Sequence, residues 1–320
     1  MLIEEKIFSL IDQSNHILMI SHRRPDGDTL GSSGVFLSYL QEKGKDAALF
    51  CVDQIPGNLQ FLIPNKTKIL HDSTSLDLNN YDLVIAVDCG ELKQTSIPDL
   101  LKQRGPNTFL INIDHHYTND SYGDLNLVNS VASSTCEVVY HIFKSQKVPV
   151  DRHMTNALLT GILSDTTYFS NGATTIEAIR AASDLLGSGA KIKDITQSIW
   201  KNKDIETLQL WGKIFDRLQY NEEKKIAIAI IYHADLQEIS VPENALEGIA
   251  NFLTTLYEAK VILVLSQLEN NIIKGSLRTT HADVDVSAIA KRHGGGGHKK
   301  AAGFTINGTI NDTFDIWSLV

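Results

Sequence analysis

Short apolar runs alternate with amphipathic stretches through the first 190 residues. His16 to Ser21, Ala47 to Val52, Leu83 to Val87 and Phe109 to Ile113 are dense in β-branched and large aliphatic residues and predict strands. Between them the pattern changes to helical spacing. Ile3, Ile7, Leu10 and Ile11 open the chain as one helix, and a second runs from near Asp28 to Gly44, with Leu30, Val35, Leu37 and Leu40 on one apolar face and the glycine suited to a C-terminal cap. Further helices are predicted over Thr135 to Phe143, Arg152 to Leu163 and Ile176 to Leu186. Strands alternating with helices predict an α/β domain with a mainly parallel sheet flanked by helices. The segment 191–220 is charged and helix-like and reads as a helical linker. Beyond it, Lys225 to Tyr232, Val261 to Leu268 and Ile272 to Arg278 predict strands, Asn270-Asn271 a hairpin turn, and Ala245 to Tyr257 a helix. The expected organisation is a domain over 1–190, the linker, and a smaller α/β domain over 221–320.

Bulk composition narrows the function. With 320 residues, 42% of them hydrophobic, the chain can bury a core in each domain. A formal net charge of −9 provides no global positive field to hold long nucleic acid, so any nucleic-acid substrate should be short or locally gripped. Cys51, Cys89 and Cys136 form no CxxC pair and are odd in number, which argues against a disulfide framework or a zinc knuckle and fits a reducing cytoplasm. The N-terminus lacks the basic flank and apolar run of a signal peptide, and no stretch reaches the roughly 18 apolar residues of a membrane span.

The candidate chemistry sits where strands end. ILMISHRRPDGD carries His22, Asp26 and Asp28 after the first strand, LVIAVDCG carries Asp88, and FLINIDHH carries Asp114, His115 and His116. In an open α/β sheet the carboxyl ends of the strands line the ligand crevice, which gathers these residues at one edge. GILSDTTYF adds Asp165 near the end of an apolar helix, where an unpaired carboxylate is costly to bury. Each piece alone has a plainer reading: Asp88 as a turn or cap, Asp26-Gly27 as a tight turn with Asp28 as an N-cap, His115-His116 as a surface pair. Four segments presenting the same ligand types at one edge outweigh those readings. Carboxylates and imidazoles without thiolates suit Mn²⁺, Mg²⁺ or similar ions. Two such ions about 3.5 to 4 Å apart make a bound water hydroxide-like and stabilise a phosphoryl transition state.

These motifs together resemble the signature of the DHH phosphoesterase family, and the two-part organisation and the later GGGGH resemble its nanoRNase/pAp phosphatase branch. The resemblance implies a DHH domain followed by a DHH-associated domain, and hydrolysis of very short oligoribonucleotides and of 3′-phosphoadenosine 5′-phosphate (pAp). Carried over residue by residue, it implies two divalent ions, Mn²⁺ first and Mg²⁺ or Co²⁺ as alternatives. His22, Asp26 and Asp88 would hold one, and Asp28, Asp88, His115 and Asp165 the other, with Asp88 bridging. Asp114 would orient a histidine, and His116 would face the scissile phosphate. Ser133, Ser134, Thr135 and Glu137 resemble a segment near the site. Ser134 is a candidate phosphate-binding hydroxyl, and Thr135 is expected to cap the helix that follows. Where relatives often have Asp-Thr-Gly, this chain has Asp165-Thr166-Thr167, which should alter the backbone there.

In the second half, Gly294 to Gly297 followed by His298 fits neither GxGxxG nor GxxxxGK[ST], which excludes the dinucleotide-dehydrogenase and P-loop readings. A run of glycines lets backbone N–H groups approach an anion, or it is simply a flexible loop. The resemblance makes Gly295, Gly296, Gly297 and His298, with Arg278, the substrate-binding part, holding a nucleotide's terminal phosphate and base across an interdomain cleft. His281, Arg292 and His293 read as solvated surface. The expected partners are short RNA and small nucleotides, with no membrane and a homodimer left open. Cyclic dinucleotide hydrolysis is the competing enzymatic reading, and a non-catalytic nucleotide sensor the competing reading of another class.

Overall fold

The computed structural model describes residues 2–200, 204–239, 246 and 248–310. The chain divides into two compact units, residues 1–202 and 203–320.

In the first unit the elements follow in the order α1 (Ile3–Gln13), β1 (His16–Ile20), α2 (Gly27–Glu42), β2 (Asp46–Phe50), β3 (Lys68–Leu70), β4 (Leu83–Val87), α3 (Pro98–Lys102), β5 (Phe109–Asp114), β6 (Leu125–Val128), α4 (Thr135–Ser145), α5 (Arg152–Asp165), α6 (Ile176–Gly187) and α7 (Ile192–Trp200). The six strands are all parallel, in the order β3-β2-β1-β4-β5-β6. The period-2 alternation of side chains feeds two separate cores. Ile17, Met19, Ile85 and Ile111 pack with α1, α2, α4 and α5, whereas Leu18, Ile20, Val84 and Leu110 pack with Leu76, Ile97 and Leu101 on the other face. Strand order reverses between β1 and β4, so the crevice of this sheet opens beyond their carboxyl ends.

Helix α2 departs from expectation in two ways. Its N-cap is Asp26, whose carboxylate accepts from the backbone N–H groups of Asp28 and Thr29, so Asp28 lies inside the first turn rather than capping it. It also has no solvent face, since every residue from Gly27 to Leu40 is buried. The sheet lies on one side and α5 packs on another, which is why small residues interrupt the apolar ones. At the end expected from sequence, Gly44 takes the left-handed φ of +67° that stops the helix.

The second unit contains α8 (Ile205–Asp216), β7 (Gln219–Asn221), β8 (Ile226–Ile231), α9 (His233–Ile239), α10 (Ile249–Leu253), β9 (Val261–Leu268), β10 (Ile272–Arg278), α11 (Val286–Arg292), β11 (Gly296–His298) and β12 (Ala301–Asn307). Its sheet runs β11-β12-β10-β9-β8-β7, mixed in direction, with β8 and β9 parallel. Ile228, Leu263 and Leu277 pack with α11 on one face, and Ala229, Ile262 and Val264 with α8 and α10 on the other. The β9–β10 hairpin turns through Glu269–Asn271, with Asn271 left-handed at φ +56°. Of the helix expected over Ala245 to Tyr257, Ala245 lies outside the described residues and the helix observed is the shorter α10. Strands β3, β6, β7, β11 and β12 carried no sequence signal strong enough to place them: β3, β7 and β11 have three residues each, and β6 alternates Leu with Asn and Val.

Candidate active site

Backbone geometry at the strand ends brings the predicted residues together. His22 follows β1, and Asp26 and Asp28 open α2. Asp88 stands one residue beyond β4 at φ +58°, a left-handed conformation that a non-glycine residue adopts at a cost of about 1 kcal/mol or more. The turn is held from both ends: Asp88 N–H donates to the Ile113 carbonyl (3.0 Å), and the Cys89 carbonyl accepts from Tyr122 Oη (2.9 Å) and Asn112 Nδ2 (3.2 Å). As a result Asp88 is buried and its two oxygens look in different directions. Oδ2 lies 3.3 Å from His22 Nε2, while Oδ1 lies 3.7 Å from His115 Nε2 and 3.7 Å from His116 Nδ1. His115 Nε2 is also 3.3 Å from Asp165 Oδ2 and 4.0 Å from Asp28 Oδ2.

Three overlapping groups can each hold a cation, with ligand atoms within 4.8 Å of one another: His22, Asp26 and Asp88; Asp28, His115 and Asp165; and Asp88, His115 and His116. Both His22 and His115 turn Nδ1 to a carbonyl, that of Arg23 (2.7 Å) and of Ala132 (3.4 Å). A carbonyl only accepts, so Nδ1 carries a proton and Nε2 is the atom turned toward the carboxylates, as metal-binding imidazoles require. Thiols play no part in the donor set: burial pushes the Cys89 and Cys136 thiols well up and holds them protonated.

The electrostatics show how strongly the cluster demands positive charge. Burial, then the neighbouring Asp88 and Asp26 charges, push Asp28 well above the usual carboxylate range, although its oxygens accept the N–H groups of Thr135 (2.6 Å) and Cys136 (2.8 Å). Asp165 is pushed up likewise, by burial and then by Asp28. Burial also works to raise Asp88, but the His22 hydrogen bond and the charges of His22, His115 and His116 hold it at about 2. Burial works to lower His22, yet the hydrogen bond it donates to Asp88 and the charges of Asp26 and Asp88 bring it up to about 10. Cations, as protons or metal ions, are what these side chains are arranged to bind.

Asp114 is fully buried and its Oδ1 accepts from His116 Nδ1 (2.7 Å), which with the charge of Asp88 outweighs burial and pushes His116 up to about 9. Its other oxygen accepts from Asn119 Nδ2 (2.6 Å). Two neighbouring hydroxyls are held by partners inside the protein. Ser134, expected at the substrate, is fully buried and caps α4 by accepting from Glu137 N–H (3.0 Å), whereas Thr135, expected as the cap, donates from Oγ1 to Asp88 Oδ1 (3.0 Å). The cap lies one residue earlier because α4 starts at Thr135 and the cap must precede it. Ser133 is buried, and Glu137 accepts from its backbone N–H (2.7 Å). Thr167 takes a φ of +47° and is followed by Tyr168 and Phe169 in the same left-handed region, so the threonine holds a conformation that glycine adopts freely.

Around the cluster lies a cavity of about 390 Å³ lined by His22, Arg23, Arg24, Asp26, Asp88, Gln94, His116 and Asp165. Sequence reasoning gave no role to Arg23, Arg24, Gln94, Asn112, Asn119 or Tyr122. A pair of loop arginines reads as solvated surface, and nothing in the spacing of the two asparagines and the tyrosine marks them as turn-locking groups.

In the second unit the glycine run is a folded turn and strand. Gly294 is left-handed at φ +73° after α11, and Gly296 and Gly297 pair with Gly303 and Ala302 of β12. A Cβ at Gly295 would lie 2.1 Å from the Gly303 carbonyl oxygen, and one at Gly297, where φ is +137°, 2.6 Å from that of Ala301; Gly296 has open space around it. Arg278 donates from Nε to Asn251 Oδ1 (2.8 Å) and from Nη1 to the Leu277 carbonyl (2.9 Å). The His298 side chain lies outside the described residues. His281 is half-buried, and Arg292 is exposed.

Comparison with known proteins follows this division. Residues 16–162 match the DHH family, N-terminal domain, and residues 212–315 match the DHHA1 domain. The chain is 28% identical over 292 residues to a bifunctional oligoribonuclease and PAP phosphatase of Thermus thermophilus, covering 91% of this chain and 84% of that one. It is 26% identical to a cyclic-di-AMP phosphodiesterase of Bacillus subtilis, covering 96% of this chain but 47% of the longer relative. The crystal structure of an exopolyphosphatase-related protein from Bacteroides fragilis shares the fold with a TM-score of 0.89, over 96% of this chain and 92% of that one, at 21% identity. The chain belongs to the DHH family, as a metal-dependent hydrolase in which a DHH domain is followed by a DHHA1 domain.

Proposed function

We propose that this protein degrades short oligoribonucleotides from an end to mononucleotides and removes the 3′-phosphate of pAp, using two divalent cations, Mn²⁺ before Mg²⁺ or Co²⁺. The observation that carries this is the strained turn at Asp88, which aims one carboxylate oxygen at His22 and the other at His115. One site is then His22, Asp26 and Asp88, the other Asp28, Asp88, His115 and Asp165. Bound there, the cations would supply a hydroxide-like water and neutralise charge on the phosphoryl oxygens. Around them, Asp114 fixes the tautomer of His116, and His116 holds a proton beside the reacting phosphate. Arg278, Gly295, Gly296, Gly297 and His298 bind the far end of the substrate. Residues 1–190 would then form the catalytic part and 221–320 the substrate-binding part, joined by 191–220. Three free buried thiols suit a reducing cytoplasm as the place of action. Among the described residues no helix is long and apolar enough to cross a membrane.

The similarity to a cyclic-di-AMP phosphodiesterase supports a second reading, in which a cyclic dinucleotide is opened by the same residues. Chromatography of products after incubation with Mn²⁺ and pAp, di- to pentaribonucleotides or a cyclic dinucleotide separates the two. AMP from pAp and mononucleotides from the shortest RNAs is the expected result, and turnover confined to the cyclic dinucleotide selects the second. Asp88→Ala should abolish release; unchanged release would overturn the bridging assignment, and no metal-dependent release from the unaltered protein would leave a nucleotide sensor.

A further inference from the structure

Arg23 and Arg24 are exposed side chains beside the carboxylate cluster. Both line the 390 Å³ cavity together with Asp26, Asp88 and Asp165, yet among the described residues neither guanidinium has a carboxylate within 4.0 Å. By contrast, Arg104 pairs with Asp124 and Arg180 with Glu177. What sets the two apart from the equally unpaired Arg152 is their place: they are adjacent and line the cavity beside three carboxylates. The backbone that presents them is fixed. Arg24 is left-handed at φ +54° and its N–H donates to Asp53 Oδ2 (2.7 Å), so Asp53 holds the main chain instead of neutralising the side chain. Arg23 N–H donates to the Gln94 carbonyl (3.4 Å), and the buried Pro25 follows. Strain of this kind persists where the surroundings over-determine it, and it clusters at ligand clamps.

A charge count shows what the pair is for. The proposed function places Asp26, Asp28, Asp88 and Asp165 against two dications, so four negative charges meet four positive ones and cancel. Arg23 and Arg24 are then the net positive charge of the cavity, and guanidinium groups are shaped to take phosphate oxygens in pairs. We propose that Arg23 and Arg24 form a clamp for a second phosphate of the substrate, next to the one that is cleaved, and so select nucleotides that carry a phosphate on both sides of the sugar. This rests on the proposed function for the position of the cleaved phosphate, and it assigns the second phosphate to the first unit, leaving the base and any further nucleotide to Arg278 and the glycine run.

The test compares pAp with 3′-AMP, which lacks the 5′-phosphate, on the Mn²⁺-loaded full chain. The unaltered protein should favour pAp through KM, and Arg23→Ala with Arg24→Ala should reduce that preference by about 10- to 100-fold, the size expected for lost charge-assisted hydrogen bonds, with kcat changing far less than KM. Arg→Lys at both positions should restore part of it. Titration calorimetry with AMP and with adenosine gives a readout independent of turnover: AMP should bind more tightly, and the double variant should lose most of that difference. A protein that binds AMP through the arginines but cleaves neither substrate would sink the functional reading and leave the clamp standing. Equal losses on pAp and 3′-AMP, no loss on either, or a preference that disappears with Arg278→Ala instead would overturn the clamp.

Discussion

The carboxylate cluster of the first unit and the glycine run of the second both drew attention as candidate sites, but their physics differs. At the cluster the polar groups work against the fold: Asp28 and Asp165 are forced far above their ordinary titration range by burial, and Asp88 occupies a strained turn. Nothing about packing asks for an aspartate at any of these places. In the glycine run the reverse holds for Gly294, Gly295 and Gly297, because two need left-handed or glycine-type φ angles and a Cβ at Gly295 or Gly297 would strike the neighbouring strand. Residues that burden the fold point to chemistry, whereas residues that the fold requires explain themselves.

The largest expected effect tests the first half of that contrast. Asp88→Asn keeps a residue that tolerates φ +58° and removes the charge, so backbone strain does not confuse the result. Turnover should fall by about a thousandfold or more, as when a group that stabilises transition-state charge is lost. Thermal stability without added metal should fall, because the Asp88 charge is paired with His22, His115 and His116, and the stabilisation that added Mn²⁺ confers should be lost. A variant that kept both activity and stabilisation by Mn²⁺ would place Asp88 among the structural residues.

Next in size is a pair in the glycine run. Gly295→Ala should destabilise the second unit by about 2 to 4 kcal/mol, since the added carbon meets backbone rather than a flexible side chain. Gly296→Ala should change stability by less than about 0.5 kcal/mol, because the space there is open. Both are read from denaturant melts of the full chain. If Gly296→Ala nonetheless raises KM, then of these glycines it is the one that the substrate rather than the fold requires.

How much of this could be read from the chain alone follows the same line. Strands β1, β2, β4 and β5 were visible because each is a mainly apolar run, and the cluster was visible because His22, Asp88 and His115 each lie within two residues of the end of one of those strands. Asp165 was legible as a carboxylate in an apolar helix. What stayed hidden depends on distances across the fold. Asn112 and Tyr122 meet at the Cys89 carbonyl, and Asn119 reaches Asp114, through contacts that leave no spacing in sequence. Reading α2 as one-faced failed because, Asp28 apart, its buried positions that are not apolar are serine, threonine and glycine, which a two-sided environment accepts as readily as solvent.

A pH experiment sharpens the comparison from the second unit. Burial works to raise Asp235, but the Arg217 guanidinium, bonded to both its oxygens (2.5 and 2.9 Å), and the Tyr232 N–H hold it below its ordinary value. A carboxylate whose folded pKa is depressed contributes stability that is present in full above its unfolded pKa of about 3.9 and is lost as the pH falls through the folded value. Arg217→Ala should therefore cost about 2 kcal/mol at neutral pH, tempered by the partial exposure of the arginine, and the difference from the unaltered protein should shrink as the pH is taken below about 4. A difference independent of pH would mean that the arginine acts through packing alone.

The smallest effect concerns a hydroxyl that sequence placed at the substrate. Ser134 is buried, and its oxygen accepts from Glu137 N–H at the start of α4, the helix whose first amides also hold Asp28. Ser134→Ala should cost about 1 kcal/mol, the usual price of an N-cap, and leave KM for pAp unchanged. Ser134→Asp, which can accept from the same amide but adds charge to a cluster already crowded with it, should be worse than alanine even though aspartate caps exposed helices well. That inversion separates a capping site inside a carboxylate cluster from an ordinary one. If aspartate instead restores stability, the repulsion assigned to Asp28, Asp88 and Asp165 does not reach the start of α4.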